Sequence, residues 1–341
     1  LRKRLAEETI TTIKDVAQRA GVSVTTVSHV INKTRFVSDE LKQKVLKAME
    51  ELSFKPNAVA RSLRVKESNT IGLIIPDSTN PYFAEIGWGV EYSSRKHGYS
   101  VILCNSDDDL QKEESYINVL IEKQVDGIII VAAGSSTAHL ISLQERNIPT
   151  VMVDRDSPDV KIDSVQVDNK IGGQIATRHL IELGHTRIAC ITGPREVTPS
   201  YSRFDGYKEE LERNGIEIRK EYIIKGDFKP QGGYEAAEEL LNLAQPPTAI
   251  FACNDLMAIG VSRAVIERGM KIPGDISLIG FDDIYLSKYT NPPLTTIKQP
   301  RLAMCEEAVN CLLSRMQDLQ RSASSIVVNV ELVKRASTAS I

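Results

Sequence analysis

Thr11-Thr-Ile-Lys-Asp-Val-Ala-Gln-Arg-Ala-Gly-Val-Ser-Val-Thr-Thr-Val-Ser-His-Val-Ile-Asn32 carries two helical periods separated by a glycine. Thr12 can N-cap the first helix, with Asp15 three residues on in a capping-box position. Ile13, Val16, Ala17 and Ala20 recur at helical spacing, and Gly21 ends the helix. Ser23 is a second N-cap. After it Val27, Val30 and Ile31 face inward, while Thr25, Ser28, His29 and Asn32 face out. A third helix follows Ser38, with Leu41, Val45, Met49 and Leu52 inward. Two short helices joined by a tight glycine turn and braced by a third make a helix-turn-helix. Its outer face at Thr25 and His29 has short polar groups and almost no long charged ones. That suits a helix lying in a major groove, reading base edges while Lys and Arg at its margins meet phosphates. The blander reading is a three-helix bundle that contacts protein.

Charge points the same way. The chain of 341 residues has a net charge of −3. From Leu1 to Ser68 it holds 14 Lys and Arg against 8 Asp and Glu, and the remainder holds 28 against 37. A basic head on an acidic body fits a polyanion-binding module joined to something else, although a solvated basic face alone gives the same surplus. An apolar share of 42% and a charged share of 26% are those of a soluble globular protein. The longest apolar run, Ile128–Ala133 between Gly127 and Gly134, is far short of the roughly 18 residues a membrane span needs. The basic N-terminus has no apolar stretch behind it, so secretion is not expected and a cytoplasmic, nucleoid-associated protein is. Five cysteines without a CxxC, three of them (Cys104, Cys190, Cys253) in apolar strand-like runs, read as reduced core thiols.

From Asn69 onward strands and helices alternate. Apolar strand-like runs occur at Ile71–Pro76, Val101–Cys104, Gly127–Ala132, Pro149–Val153, Ile188–Ile191, Ala249–Cys253 and Ser277–Phe281. Amphipathic stretches lie between them at Pro81–Lys96, Lys112–Gln124, Ile171–Leu183, Arg203–Asn214, Gly232–Leu243 and Asp255–Arg268. Continuous apolar strands with crossover helices mean parallel sheets covered on both faces, and about 270 residues suit two such lobes. Ligands of open α/β sheets bind outside the carboxyl ends of the strands. Past the first strand come Asn80, Tyr82 and Phe83; past Pro149–Val153 come Asp154 and Arg155; Asn254 and Asp282 end two further strands. Polar residues ending several apolar strands suggest one shared crevice. Its chemistry suits a sugar, whose hydroxyls both donate and accept and whose C–H faces meet rings. Taken singly, Asn80 and Asp255 read as helix caps and Asp154 with Arg155 as a solvated pair.

Residues 11 to about 63 resemble the DNA-binding head of LacI-type repressors, and Thr25-Thr-Val-Ser-His-Val-Ile-Asn-Lys-Thr-Arg-Phe-Val37 is especially close to the purine and ribose repressor branch. The resemblance implies DNA contact from Ser23, Val24, Thr25, Thr26, His29 and Asn32, with Val24, Thr25 and His29 facing bases. Val24 departs from the polar or bulky residues common there and can make only apolar contacts, for example to a thymine methyl. Pro56-Asn-Ala-Val-Ala-Arg-Ser-Leu-Arg64 looks like the family's hinge helix. It is too short to hold alone and folds when two subunits meet over the operator centre. Leu63 then stands where the family wedges a leucine into the minor groove, flanked by Arg61 and Arg64.

The body resembles, over its whole length, the two-lobed ribose-binding type of periplasmic receptor and the repressor cores built on it. The resemblance carries over Asn80, Tyr82 and Phe83 in Ser-Thr-Asn-Pro-Tyr-Phe, Asp154 and Arg155 in Val-Asp-Arg, and Arg203 in Ser-Arg-Phe-Asp-Gly-Tyr as effector contacts. It adds Phe228 in Gly-Asp-Phe, Asn254 in Cys-Asn-Asp, Asp282 in Gly-Phe-Asp-Asp and Gln299 in Ile-Lys-Gln-Pro. Tyr82 replaces the receptor's Phe. The purine repressor fits the pocket worse, with an aromatic at the position of Arg155 and an Arg at that of Val197, which implies a sugar such as ribose rather than a base.

The expected architecture is a small all-α helix-turn-helix head (1–55), a hinge helix and linker (56–68), and an α/β core of two doubly wound parallel-sheet lobes (69–341). The N-lobe takes 69–165 and 298–325, the C-lobe 166–297 and the C-terminal strand. The expected function is a repressor binding double-stranded palindromic operator DNA as a homodimer, switched by a small sugar, most simply ribose or another pentose. The helices Pro81–Lys96 and Lys112–Gln124 are the expected N-lobe contact surfaces, and the lone Trp88 reads equally as interface or core. No leucine heptad closes the chain, so no tetramerising tail is expected. Another sugar, a corepressor that strengthens DNA binding, or a receptor without regulatory output remain alternatives. Catalysis is not expected, because GxGxxG, Walker, HExxH and GxSxG patterns are missing, and neither a metal nor a cofactor is called for.

Overall fold

A computed structural model describes residues 11–32, 34–54, 68–132, 138–155, 160–194 and 197–341. The chain divides after Ser68 into two compact units.

The first unit holds α1 (Ile13–Ala20), α2 (Val24–Asn32) and α3 (Asp39–Glu51). At the start of α1 the Asp15 N–H donates to the Thr12 hydroxyl at 3.4 Å, and the Thr12 N–H donates to the Asp15 carboxylate at 2.7 Å. This reciprocal cap satisfies two amides that a helix otherwise leaves orphaned. Gly21 takes φ +66°, and the Val22 N–H returns to the Ala17 carbonyl at 3.0 Å, closing α1 and turning the chain. Ser23 caps α2 by accepting from the Thr26 N–H at 3.0 Å. Val16, Ala17, Val27, Val45 and Ala48 are the buried centre, with Ile13, Val30, Ile31, Met49 and Leu52 packed half-buried around it. Ser28, expected outside, is buried. It sits beside the Val27 stripe, and its carbonyl and hydroxyl both accept from the Asn32 amide, at 2.9 and 3.2 Å, so a polar side chain is tolerated there.

Among the described residues the second unit contains twelve strands: β1 (Thr70–Ile75), β2 (Ser100–Asn105), β3 (Gly127–Ile130), β4 (Thr150–Val153), β5 (Asp163–Val167), β6 (Ile188–Thr192), β7 (Ile223–Lys225), β8 (Ala249–Ala252), β9 (Ser277–Asp282), β10 (Thr295–Lys298), β11 (Ser325–Val328) and β12 (Glu331–Val333). They form two six-stranded sheets, ordered β11-β5-β4-β3-β1-β2 and β12-β10-β9-β8-β6-β7. The first is parallel throughout. The second is parallel except that its edge strand β12 runs against β10. The cause is connectivity: only Asn329 and Val330 separate β11 from β12. A chain leaving one sheet at its carboxyl edge enters the facing sheet from that sheet's carboxyl edge, and so runs the other way.

Each sheet has helices on both faces, and β3, β4, β6, β8 and β9 are buried along their whole length, as uninterrupted apolar strands require. Gly173, Gly206, Gly233 and Gly260 let helices pass at backbone distance. A Cβ on Gly173 would lie 2.1 Å from the Arg203 carbonyl oxygen, and one on Gly260 1.8 Å from that of Pro230. The first brings the helix Asn169–Glu182 against Thr198–Arg213, which carries Arg203 inward. The chain passes between sheets three times, at Asp168, at Gln299–Pro300 and at Asn329–Val330, so the carboxyl ends of both sheets face one cleft. Among the described residues no helix is long and apolar enough to cross a membrane.

Candidate functional site

The cleft contains a cavity of about 270 Å³. Nine of the ten residues expected to meet an effector line it. Asn80, Tyr82 and Phe83 come from the start of the helix Pro81–Lys96, Asp154 and Arg155 from the end of β4, and Arg203 from the helix Thr198–Arg213. Phe228 follows β7, Asn254 follows β8, and Asp282 ends β9. Gln299 lies behind this wall, buried, and holds it together.

One hydrogen-bonded chain joins both lobes. The Tyr82 hydroxyl donates to Asp154 and lies 3.1 Å from the Gln299 carbonyl oxygen. The Gln299 amide donates to Asp282 at 2.7 Å, and Asp282 lies 3.4 Å from Arg203 Nη1. Arg203 in turn donates to Asn169 Oδ1 at 2.8 Å and to the Cys253 carbonyl at 2.7 Å, its guanidinium 3.7 Å over the Phe281 ring. Burial pushes Asp282 up to about 6, against the pull of Arg203 and the Gln299 amide. Burial also raises Asp154, opposed by the Tyr82 hydrogen bond and by Arg203. Burial, with Asp154 and Asp282 facing it, holds the Tyr82 phenol far above its ordinary range, so it stays a neutral donor.

Next to Asp154 in the chain, Arg155 Nη1 donates to Asp108 at 2.6 Å and to the Ala132 carbonyl at 2.7 Å. Its Nε is buried and has no hydrogen-bond partner among the described residues. The backbone is bent hard around the cavity: Asp154, Phe228 and Asp282 have φ of +69°, +64° and +111°. Aspartate visits this region at modest cost, whereas for Phe228 it is an outlier that the surrounding structure has to enforce.

Asn80 and Asn254 are helix caps as well as cavity walls. Asn80 accepts from the Tyr82 N–H at 3.0 Å; Asn254 accepts from the Met257 N–H at 2.9 Å and donates to the Phe228 carbonyl at 3.0 Å. Asp255 is not the cap its position suggested. Its buried carboxylate accepts from the Ile284 N–H (2.9 Å), the Ser287 hydroxyl (2.5 Å) and the Thr296 hydroxyl (2.6 Å), tying the loop after β9 to β10. Nor are Asp154 and Arg155 a solvated pair, since both are buried and their bonds run to other residues.

Sequence reasoning missed Asp77, Asp107, Asp108, Asp227 and Lys229, all on the cavity wall. For Asp107 and Asp108 the signal was there: the run Asp107-Asp108-Asp109 stands just past β2, where ligand-facing residues of such sheets belong. Among the described residues no group of three or more His, Cys, Asp or Glu is arranged to hold a metal.

In the head, Val24 is 41% exposed and Thr25 is exposed at the start of α2. Ser23 and Thr26 share a hydroxyl contact of 2.9 Å, His29 Nδ1 lies 2.8 Å from the Thr34 hydroxyl, and Asn32 folds back onto Ser28. Arg61, Leu63 and Arg64 lie outside the described residues.

Residues 12–57 match the family described as bacterial regulatory proteins, lacI family, and residues 177–338 match the periplasmic binding protein-like domain. The HTH-type transcriptional repressor PurR of Proteus mirabilis (strain HI4320) is 44% identical over 331 residues, which cover 96% of this chain and 97% of that protein. The ribose operon repressor of Escherichia coli (strain K12) is 41% identical over 327 residues, 96% of this chain and 99% of that one. A solved LacI family transcriptional regulator from Enterococcus faecium with bound ribose superposes with a TM-score of 0.74 at 34% identity, over 80% of this chain and 99% of that chain.

Proposed function

The chain belongs to the LacI family of bacterial regulatory proteins, and on that premise we propose a homodimeric transcriptional repressor of a palindromic operator, switched by a small neutral sugar, ribose or a similar pentose, held between its lobes. The observation that carries the effector reading is the composition of the cleft. The aromatic rings of Tyr82, Phe83 and Phe228 share its wall with carboxylates, the amides of Asn80 and Asn254 and the guanidinium groups of Arg155 and Arg203. Hydroxyl groups need acceptors and donors at several angles at once, with rings against the C–H faces. A planar base needs chiefly an apolar slot with a few edge contacts. The regulator with bound ribose and the ribose operon repressor support a pentose; the identity with PurR keeps a purine as the competing effector.

Operator binding falls to α2, through Val24, Thr25 and His29, with Ser23, Thr26 and Asn32 at its edges and Arg61, Leu63 and Arg64 following in the hinge. A two-fold dimer matches a two-fold site. Large apolar groups stand exposed on the N-lobe edge, including Trp88 (58%), Ile102 and Leu103 on the edge strand β2, and Val119. Such a surface suits a second copy of this chain. The DNA-binding role places the protein in the cytoplasm. Sugar closes the lobes, the N-lobes shift across the dimer, and operator affinity falls. By reciprocity the operator weakens sugar binding by the same factor.

The deciding experiment is calorimetric titration of the protein and an Arg155→Ala variant with D-ribose. Binding by the parent and a loss of about a hundredfold or more in the variant, as expected for severed charged hydrogen bonds, supports the pentose site. Absence of heat with ribose removes ribose as effector and leaves the repressor resting on its head.

A further inference from the structure

Arg301 opens the helix Arg301–Gln317 where the chain crosses back from β10, and its guanidinium is only 11% exposed. Nε donates to Glu85 at 2.8 Å, and Nη2 lies 2.8 Å from the same carboxylate. The other side of the fork grips the end of β9: Nη1 donates to the Asp282 carbonyl, and Nη2 to that of Asp283 at 2.8 Å. The guanidinium also lies 5.9 Å from the centre of the Tyr82 ring. Glu85 is held from the second lobe as well, accepting from the Tyr285 N–H at 3.2 Å.

One side chain therefore touches the strand end that presents Asp282 to the cleft and the helix that presents Tyr82 and Phe83 to it. Asp282 and Asp283 both have left-handed backbone, φ +111° and +53°, a geometry that persists only where neighbours impose it. The planar guanidinium, with donors in a fixed fork, can hold two carbonyls and a carboxylate in one register; a lysine ammonium cannot. The helix Pro81–Lys96 then runs from the cleft outward to Trp88, which is exposed and stacked on Tyr92 at 5.2 Å.

We propose that Arg301 is the positioning residue that converts a change at Asp282 on effector binding into a displacement of the helix Pro81–Lys96. This rests on the effector reading above. Arg301 is not part of the cavity wall, so it acts through Asp282 and Glu85 without touching the ligand. A plain staple between lobes would affect stability; a relay affects how far occupancy of the cleft is felt on the outer face.

Trp88 is the sole tryptophan, so its emission reports that helix directly. The full-length protein, Arg301→Lys and Arg301→Met are titrated with D-ribose, D-allose, D-fructose and hypoxanthine, following heat and Trp88 emission together. The ligand that gives heat serves for the comparison. Heat from hypoxanthine alone would sink the sugar reading, while the Arg301 test proceeds with hypoxanthine. In the parent the bound ligand shifts Trp88 emission. Both variants are expected to bind within about tenfold of the parent while their emission response falls at least fivefold. Glu85→Gln, which keeps shape and removes the charge, is the second route to the same loss should Arg301→Met fail to fold. The proposal is overturned by an emission response of full size in the variants, or by a parent whose Trp88 ignores bound ligand. It is equally overturned by an Arg301→Lys protein that keeps its circular dichroism but loses binding more than a hundredfold, which would make Arg301 part of the binding site.

Discussion

In the head, Val24 and Thr25 stand out from a helix surface over a centre of five buried side chains. In the core, Asp154, Arg155, Arg203, Asn254, Asp282 and Gln299 are each no more than 6% exposed and already bonded to protein. The contrast follows from the size of the partner. A duplex is larger than the domain that reads it, so the reading groups must protrude, and local helix geometry is enough to aim them. A small ligand has to be surrounded, so its contacts are gathered from distant parts of the chain and hold one another in place before it arrives. The head's chemistry is therefore separable residue by residue, and that of the core is coupled.

The coupled side of the comparison can be broken most forcefully at Asp255, which burial and the nearby Asp282 push up to about 7. A carboxyl raised in the fold contributes most to stability below about pH 4, and that contribution is lost as pH rises toward 7, because the unfolded chain releases the proton earlier. The stability of the parent relative to Asp255→Asn should thus fall across this window by up to about 4 kcal/mol. Urea unfolding at pH 4, 5.5 and 7.5 measures it. A difference that stays flat with pH would mean the core is not the low-dielectric, mutually dependent interior described.

Ligand charge sharpens the same point. Among the described residues, Asp77, Asp107, Asp108, Asp154, Asp227 and Asp282 share the cavity wall with three cations, Arg155, Arg203 and Lys229. Arg155 is engaged by Asp108, Arg203 lies beside Asp282, and Lys229 acts on Asp107. Ribose 5-phosphate should bind about a hundredfold more weakly than ribose, since like charge at close range costs several kcal/mol. Equal affinity by calorimetry would show a cation released for phosphate.

On the head, the expected effects are smaller and local. His29→Ala should lose about tenfold in discrimination at one base pair of the half-site, read by competition among single-base variants of the bound duplex, with ribose affinity unchanged. Thr12→Ala removes the hydroxyl half of the cap on α1, leaves the backbone N–H half in place, and should cost the head about 1 kcal/mol, with no shift in the unfolding of the core. Simultaneous loss in both transitions would break the comparison itself, because the two units would then not unfold separately.

The head was nearly complete in its sequence. Thr12, Asp15 and Gly21 bound α1 where the structure does, since caps and turns depend on residues at most a few positions apart. Ser28 was misplaced because one turn of α2 leaves it at the margin of the buried stripe, and which side of the margin it takes depends on α1 and α3. In the core, the seven apolar runs each became a strand. Asp163–Val167 escaped notice because Asp163 and Gln166 interrupt its apolar run; Arg315 and Arg321 reach Asp163 at 2.8 and 2.7 Å, which lets a carboxylate start a buried strand. The ends of strands named the cavity residues, yet could not say that Asn254 rather than Asp255 caps its helix or that Asp108 engages Arg155.

What the sequence determined by itself was local: the helices α1, α2 and α3 with the caps on the first two, the alternation of apolar strands with amphipathic helices, and the polar residues waiting at strand ends. Only the tertiary structure decided which of those polar groups meet. Tyr82 reaches Asp154 across 72 positions and Gln299 across 217, and those contacts, with the burial around them, set the carboxyl groups of the cleft away from their ordinary ionisation. Periodicity and capping act over one or two turns of chain, whereas desolvation and charge pairing depend on whatever the fold brings within a few ångströms.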